Sequence, residues 1–144
     1  MKKTTSRNGF TLIELIIVMV ILGIMAAVAV PRYLDSIANA EESAEDAVIS
    51  AVRNGLKQYA NNSLLDNGRA TWPTDPFSAL SEKPAGHTND GDLADTDGEW
   101  TYNSTTNKIT HQRGDNSRVG WSYDKGTQTG DNAAVGTLGN RASL

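Results

Sequence analysis

The chain has 144 residues, of which 38% are hydrophobic and 21% are charged, with 13 Gly, 4 Pro and no Cys. This length suits one small domain plus an additional segment and excludes a large multidomain enzyme. The 13 Lys and Arg against 17 Asp and Glu give a net charge of -4, which argues against nucleic acid as the main ligand. Without Cys, there is no disulfide, no thiol nucleophile and no Cys-based metal site.

The N-terminal part separates into a basic leader and a long apolar run. Residues 1–9 carry three cations and no anion, and residues 10–30 are apolar except for Thr11 and Glu14. In a helix, this run spans about 31 Å at ~1.5 Å per residue, which is enough to cross the hydrocarbon core of a bilayer. The cations predict that the N-terminal end stays in the cytoplasm and that the rest of the chain lies outside.

Three interpretations of the apolar run compete: a cleaved secretory signal, a simple anchor, and a segment that is both processed and functional. Ala27-Val28-Ala29 has the small-x-small form of an ordinary signal-cleavage site. Glu14 argues against the two simpler interpretations, because a carboxylate at mid-membrane costs roughly 2.5–3.5 kcal/mol, though less near the end of the run. Neither of those interpretations supplies this carboxylate with a partner.

The segment Gly9-Phe10-Thr11-Leu12-Ile13-Glu14-Leu15 follows the Lys-containing leader and opens the apolar run that continues to Pro31. This combination resembles the class III signal of type IV prepilins and type II secretion pseudopilins. The resemblance implies a pilin fold, cleavage by a prepilin peptidase between Gly9 and Phe10, and methylation of the new Phe10 amine. It also implies that the apolar helix stays in the mature protein and that Glu14 pairs with the Phe10 amine of a neighbouring subunit during filament assembly.

A second helical pattern follows Pro31 and predicts an amphipathic helix over residues 31–62 that ends near residues 61–63. Its apolar stripe comprises Ile37, Ala44, Val48, Val52, Leu56 and Tyr59. Its charged residues lie largely off that stripe: Glu41, Glu42, Glu45, Asp46, Arg53 and Lys57. This charged face is expected to be solvated, with charge pairing between neighbouring subunits as the alternative. Pro31 predicts a kink or a local loss of helix, with Gly23 as a second weak point. The resemblance implies that the stretch between them unwinds on assembly.

Residues 63–144 are predicted to form a loop and a small sheet, so the fold class is α+β with a long N-terminal helix packed on a C-terminal antiparallel sheet. Strand patterns cover residues 99–103, 108–111 and 118–123, while residues 128–144 have no predicted element. The aromatic residues are expected in the core, with carbohydrate stacking or electron hopping as the alternative. The predicted sheet and loop core comprises Trp72, Phe77, Trp100, Tyr102, Ile109, Val119, Trp121 and Tyr123.

The acidic loop at residues 90–99 is expected to be solvated, with Ca2+ binding as the alternative, since carboxylates and flexible Gly suit a hard cation. Its spacing is not that of an EF-hand. His87 and His111 are predicted to be surface polar residues. No motif of an enzyme active site, metalloprotease or phosphate-binding loop occurs in the sequence.

The sequence therefore predicts a structural subunit of a type IV pilus-like filament, either a type IV pilin or a type II secretion major pseudopilin. The loop at residues 65–69, 72–74 and 79–84 is similar to that of major pseudopilins and favours the second. By resemblance, the partners are further copies of the chain, a prepilin peptidase, minor pilins or pseudopilins, and an inner-membrane assembly platform with a motor ATPase. Storage in the bacterial inner membrane follows from the same resemblance. A membrane-anchored periplasmic binding module that does not polymerise is the alternative, and an anchored hydrolase has no candidate residues.

Overall fold

The computed structural model describes residues 9–144, so residues 1–8 of the predicted leader lie outside the described residues. The fold is α+β, as predicted, with one long helix followed by a four-stranded antiparallel sheet. Helix α1 spans Leu12–Asn67, and a short 3-10 helix spans Pro76–Ala79. The strands are β1 (Trp100–Asn103), β2 (Lys108–Gln112), β3 (Arg118–Asp124) and β4 (Thr137–Ser143).

The described chain forms two compact units, the first ending at Glu42 and the second, the head unit, covering Ser43–Leu144. In the first unit, α1 runs without interruption through Gly23 and Pro31. The predicted local loss of helix is therefore absent from this structure. Pro31 removes one hydrogen bond and crowds one carbonyl, a defect of about 3 kcal/mol that several intact turns on each side can tolerate.

Helix α1 ends one turn later than predicted, at Asn67 instead of near residues 61–63. The Asn-Asn-Ser sequence looked like a stop signal, but Ala60 and Ser63 are buried and continue the packed face of the helix. The Ser63 hydroxyl also bonds the Arg69 carbonyl at 3.1 Å. The helix ends where Gly68 adopts a φ of 70°, a left-handed conformation that glycine reaches without strain.

The sheet has the order β1-β2-β3-β4, and every neighbouring pair is antiparallel. Three strands lie where the sequence predicted them, whereas β4 lies in the segment that had no predicted element. Strand β4 pairs with β3 from Asp124↔Thr137 to Val119↔Ser143, with a register shift between Trp121 and Tyr123. Two hydrogen bonds from Arg53 on α1, to the carbonyls of Leu138 (2.9 Å) and Gly139 (2.8 Å), hold β4 in place.

The hydrophobic core of the head unit lies between α1 and one face of the sheet. Its buried members are Ile49, Val52, Leu56, Phe77, Trp100, Ile109, Val119, Trp121 and Tyr123, with Val48, Trp72 and Tyr102 packed partly buried against them. The predicted core of the sheet and loop is confirmed. The predicted helix stripe is only partly right, because Ile37, Ala44 and Tyr59 are exposed. The buried face instead includes Glu45, Ile49 and Ala60.

Candidate functional site

The N-terminal end of α1 is organised by two residues that cap it reciprocally. The Thr11 amide and hydroxyl donate to Glu14 Oε2 at 2.8 and 2.7 Å, and the Glu14 amide donates to Thr11 Oγ1 at 3.3 Å. This arrangement is a capping box, in which each side chain satisfies a backbone N–H that the first helical turn leaves unpaired. The Thr-x-x-Glu spacing signals this motif in the sequence, but the sequence interpretation did not include it.

Glu14 is four residues after Phe10, and the capping box uses only one of its two carboxylate oxygens. Both bonds from Thr11 go to Oε2, and Oε1 accepts no hydrogen bond within residues 9–144. Phe10 is 89% exposed and lies just before the first helical turn. The structure thus presents a carboxylate oxygen and the predicted new N-terminus on the same short segment.

The apolar run of α1 is exposed to its surroundings along its whole length. Its large side chains from Leu12 to Val30 are 44–75% exposed, and none of its most apolar 18-residue window is buried. That window has a mean hydropathy of 2.9, so the helix is long and apolar enough to cross a membrane. An exposed apolar surface of this extent requires lipid or other protein chains around it.

Two glycines of this region have predicted roles, Gly9 in processing and Gly23 in weakening the helix, and packing within the described chain explains neither. Among residues 9–144, a Cβ added at Gly9 or at Gly23 would meet nothing within 4 Å. Glycine in a helix interior costs roughly 0.5–1 kcal/mol relative to alanine. The fold of the single chain therefore gives no reason for Gly23 in α1 or for Gly9 before it.

A buried carboxylate on α1, Glu45, joins three other parts of the head unit. Its side chain has 0% exposure, and Arg113 binds it bidentately, with Nε to Oε1 at 2.6 Å and Nη2 to Oε2 at 2.7 Å. Arg141 Nε lies 3.2 Å from Oε2, and His111 Nδ1 lies 3.1 Å from Oε1. Burial alone raises the pKa of Glu45, but the hydrogen bonds from Arg113 and His111 and the charges of Arg113 and Arg141 outweigh burial and lower it.

The same cluster includes a stack of aromatic rings. His111 stacks on Trp100 with ring centroids 4.4 Å apart, and Trp100 stacks on Trp121 at 5.6 Å. The Arg141 guanidinium lies 5.9 Å from the centre of the Trp121 ring, within cation–π range. These contacts fix the end of β2 and the last strand against α1, which makes the cluster a structural joint of the head unit.

The sequence predictions for Glu45 and His111 are wrong. Glu45 was expected on the charged face and His111 on the surface, yet Glu45 is completely buried and His111 is 8% exposed. Their contacts join residues 66 to 96 positions apart in the chain. Helical periodicity cannot detect such a partner set, because it describes only one element at a time. His87 is partly buried, with its ring against Phe77 at 4.6 Å.

The acidic loop at residues 90–99 is organised by its own hydrogen bonds. Glu99 is 6% exposed and accepts hydrogen bonds from the Thr88 hydroxyl at 2.6 Å and from the amides of Asp95 and Thr96. The Thr88 hydroxyl contributes most to lowering the pKa of Glu99. Within residues 9–144, no group of three or more His, Asp or Glu residues could hold a metal ion. Ca2+ binding by this loop stays a prediction.

Comparison with known proteins defines the class of protein. Residues 4–30 match the family model described as "Prokaryotic N-terminal methylation motif". With the exposed apolar helix and the small sheet, this motif defines a membrane-anchored filament subunit. No solved structure matches the chain significantly.

Several type IV pilins are similar to this chain over half of its length or more. The type IV major fimbrial protein FimA of Dichelobacter nodosus is 38% identical over 127 residues, covering 88% of this chain and 72% of FimA. The type IV narrow pilus major component PilA5 of Thermus thermophilus is 34% identical over 114 residues, covering 78% of this chain and 92% of PilA5. The type IV major pilin protein PilE of Neisseria gonorrhoeae is 45% identical over 75 residues, covering 52% and 41% of the two chains. The chain belongs to the type IV pilin family, and it is a structural filament subunit.

Proposed function

We propose that the chain is the major subunit of a type IV pilus, made as a prepilin in the bacterial inner membrane with its head unit outside the cytoplasm. FimA, PilE and PilA5 are all major components of type IV pili, and FimA and PilA5 are similar over most of this chain. The three cations of the leader favour the cytoplasmic placement of the N-terminus. The pilus subunit has a structural role, without catalytic activity of its own.

Processing between Gly9 and Phe10 is the first step of the proposed pathway. Gly9 precedes the helix and is exposed, and a Cβ there would disturb no contact with the described part of the chain. A requirement for glycine at this position is therefore more easily explained by a peptidase that reads the residues around the cleavage site than by the fold of the described chain. Cleavage creates an ammonium group on Phe10, because an α-amino group has an ordinary pKa of about 7.7–8.0.

Assembly then depends on Glu14. The observation that carries this proposal is that both hydrogen bonds from Thr11 go to Oε2, so that Oε1 accepts none within residues 9–144. In the single subunit, Glu14 Oε2 caps its own helix. In the filament, Oε1 accepts from the Phe10 ammonium of a neighbour while the apolar helices pass from lipid into the filament core. A buried charge pair of this kind fixes register more than it adds stability. A motor ATPase on the inner-membrane platform supplies the work of extraction.

Intact mass spectrometry of the protein from membranes and from sheared cell surfaces tests the processing step. The expected chain begins at Phe10 and carries one added methyl group. A chain beginning at Pro31 would show instead that Ala27-Val28-Ala29 is an ordinary signal-cleavage site, and the filament mechanism would fail with it.

Two substitutions at Glu14 separate its charge from its capping role. Glu14→Gln keeps an amide oxygen that can accept from the Thr11 amide, so the capping box is retained while the negative charge is lost. Glu14→Ala removes both. Both variants should be cleaved at Gly9 yet lose filament yield by well over tenfold, because an unpaired ammonium in an apolar core costs several kcal/mol.

Asp35→Asn is the matched control, since Asp35 is an exposed carboxylate on the same helix. It should leave both cleavage and filament yield unchanged. If Glu14→Gln assembles normally and only Glu14→Ala fails, Glu14 acts through its cap alone, and the intersubunit charge pair is wrong.

A type II secretion pseudopilus remains the second candidate, favoured by the similarity of residues 65–69, 72–74 and 79–84 to the pseudopilin loop. The two differ in where the processed subunit accumulates. Abundant mature chain in the sheared surface fraction supports the pilus, whereas mature chain confined to the cell envelope, together with a secretion defect on its deletion, supports the pseudopilus.

A further inference from the structure

Two adjoining cavities on the head unit form one polar groove, here called the Tyr102 groove. Their volumes are about 220 and 240 Å³, and both are lined by Thr74, Tyr102 and Ser104. Together they fall within the range of about 300–1,000 Å³ that is typical of small-molecule sites. Asp75 and His87 also line the first cavity, and the second is also lined by Asn107, Asp124, Lys125 and Thr127.

The groove is built from segments that are far apart in the sequence and locally fixed. Asp75 caps the 3-10 helix, with its Oδ1 accepting from the Phe77 amide at 2.9 Å. Asp124 ends β3, with its Oδ1 accepting from the Gly126 amide at 2.8 Å. The Oδ2 atoms of both carboxylates accept no hydrogen bond in the part of the chain that the structure describes. Each backbone therefore holds its carboxylate in place while one oxygen stays available to a ligand.

Tyr102 lines both cavities, one with Asp75 and the other with Asp124, and two contacts hold its side chain. Its ring meets Tyr123 edge to face, with centroids 5.9 Å apart, and its hydroxyl donates to Asn107 Oδ1 at 3.1 Å. Burial raises the pKa of Tyr102, and the negative charges of Asp75 and Asp124 raise it further, so the phenol stays neutral. The result is a fixed, partly exposed aromatic side chain with a hydroxyl group and free carboxylate oxygens nearby.

This combination of groups selects the ligand by its chemistry. Burial lowers the pKa of His87, which leaves the imidazole mainly neutral at pH 7. The two carboxylates and Lys125 then give the groove a net charge of -1, which disfavours phosphates and other anions. Carboxylate oxygens accept from hydroxyl groups, the Ser104 and Thr127 hydroxyls can donate or accept, and an aromatic ring packs against C–H groups. A polyhydroxylated ring with one apolar face satisfies all three.

We propose that the Tyr102 groove binds a neutral saccharide, so that a filament of this subunit carries one such site on each copy. A filament presents many copies, so weak sites act together and avidity exceeds the affinity of a single site. This inference concerns the head unit and does not depend on how the helices assemble.

The test uses sheared filaments of the full mature chain, passed over polymer conjugates of glucose, galactose, mannose, N-acetylglucosamine and N-acetylgalactosamine. A sialic acid conjugate serves as the anionic comparison. At least one neutral conjugate should retain the filaments, and an excess of the free monosaccharide should release them. Retention only by the anionic conjugate, retention by none, or retention that the free sugar does not compete would overturn the proposal.

Two variants localise the binding to the groove. Tyr102→Phe removes the phenol oxygen while keeping the ring, and Asp124→Asn keeps an oxygen for the Gly126 amide while removing the charge. Each variant should raise, by about tenfold, the concentration of free monosaccharide that releases half of the retained filaments. This factor follows from the loss of one hydrogen bond to a ligand. Asp97→Asn, at an exposed carboxylate outside the groove, should change nothing.

Unchanged retention in both groove variants would overturn the assignment of the site. If a variant forms no filaments, the full-length chain in detergent micelles is titrated with the free monosaccharide by NMR, after near-ultraviolet circular dichroism has confirmed that its head unit is folded. Wild-type protein should then show shifts at groove residues that the variant lacks. Equal shifts in both proteins, or none in the wild type, would contradict saccharide binding in the groove.

Discussion

Glu45 is a carboxylate that the fold removes completely from water and surrounds with positive charge. Replacing it with Gln leaves Arg113 and Arg141 next to a neutral amide. The side chains of these two arginines are only 16% and 22% exposed. Breaking one side of a buried ion pair costs about 3–5 kcal/mol, and the partial access of water to the arginines favours the lower end. We expect Glu45→Gln to lower the free energy of unfolding of the head unit by about 3 kcal/mol.

Denaturant unfolding of the full chain in detergent, followed by tryptophan fluorescence, measures this loss. The stacked Trp100 and Trp121 rings report on the cluster directly. Asp46→Asn is the control, because Asp46 also pairs with Arg141, at 2.7 Å, but its side chain is 68% exposed. That variant should lose less than about 1 kcal/mol. An equal loss in both would mean that the burial of Glu45 does not matter.

The lowered pKa of Glu45 predicts how the stability of the head unit depends on pH. A group with a depressed pKa in the folded state binds protons more readily when unfolded, so its contribution is fully present above its ordinary pKa of 4.5. That contribution disappears as the pH falls from 4.5 through the folded pKa. Glu99, whose pKa is also lowered, acts in the same direction.

Denaturation midpoints of the wild type should therefore change little between pH 7 and 5 on account of these carboxylates and fall below pH 4.5. Glu45→Gln should show a shallower fall over the same acidic range, because only Glu99 and the other shifted carboxylates remain. Parallel curves for the two proteins would show that the pKa of Glu45 is the same in the folded and unfolded states, which would contradict the lowered pKa.

At the scale of the element, Gly23 and Pro31 weaken a helix that is nevertheless continuous. Gly23→Ala and Pro31→Ala should raise the helical content of the subunit in detergent, since Gly costs about 1 kcal/mol and Pro about 3 kcal/mol relative to Ala. If this stretch unwinds when subunits assemble, both variants should reduce filament yield, Pro31→Ala more strongly. Circular dichroism and the amount of sheared filament measure the two effects.

An Ala26→Ser substitution, between the two weak points, serves as the control and should leave filament yield unchanged. Normal filament yield from the Gly23→Ala, Pro31→Ala double variant would contradict unwinding on assembly. The processing of every variant at Gly9 should be checked first by intact mass, so that a loss of filaments is not a loss of cleavage.

Strand β4 depends on the close approach of Gly136 to the Trp72 ring. A Cβ added at Gly136 would lie 2.3 Å from that ring, and a hydrogen bond from Trp72 Nε1 to the Ala134 carbonyl at 3.1 Å holds the ring in place. Gly136→Ala should therefore lower the free energy of unfolding by about 1–3 kcal/mol, as overpacking typically does. Hydrogen exchange of the β4 amides should increase with it, whereas Ala133→Ser, at an exposed neighbouring position, should leave both unchanged.

The elements that the sequence predicted well are those with strong local signals. Strands β1 to β3 alternate aromatic or β-branched residues with polar ones, and the apolar run of α1 is unmistakable. Strand β4 has the sequence Thr-Leu-Gly-Asn-Arg-Ala-Ser, with a single large apolar residue, and it is an edge strand held by Arg53 and the Trp72 contact. Those partners lie far away in the sequence, so tertiary contacts rather than propensity decide its structure.

The candidate sites divide in the same way. Glu14 was identified because a carboxylate in an apolar run is conspicuous in any sequence, and Phe10 and Gly9 were assigned by resemblance. Glu45 looks like every other acidic residue of its helix, and its burial depends on Arg113 and Arg141 arriving from the sheet. The local hydrophobic and charge patterns of a sequence contain no information about such a long-range contact.

At the scale of the whole molecule, the proposed cleavage between Gly9 and Phe10 changes the charge of the subunit. The leader contains three cations and no acid, so the mature chain keeps ten Lys and Arg against 17 Asp and Glu. Its side-chain net charge is therefore -7. A filament repeats this charge along its length, and filaments of like charge repel one another over roughly a Debye length, about 30 Å at 0.01 M salt and 8 Å at 0.15 M.

Lateral association of purified filaments should consequently be weak at low ionic strength and should increase with salt. A variant with Asp95→Asn, Asp97→Asn and Asp131→Asn removes three exposed negative charges from the head unit and should form bundles at a lower salt concentration. Light scattering and electron microscopy over a range from about 0.01 to 0.5 M NaCl distinguish single filaments from bundles across this screening range. The matched control converts Ser50, Asn62 and Ser104 to Ala, which changes three exposed polar groups without changing the charge. Bundling that does not depend on salt, or that shifts equally in the control, would show that contacts other than charge repulsion govern how these filaments meet.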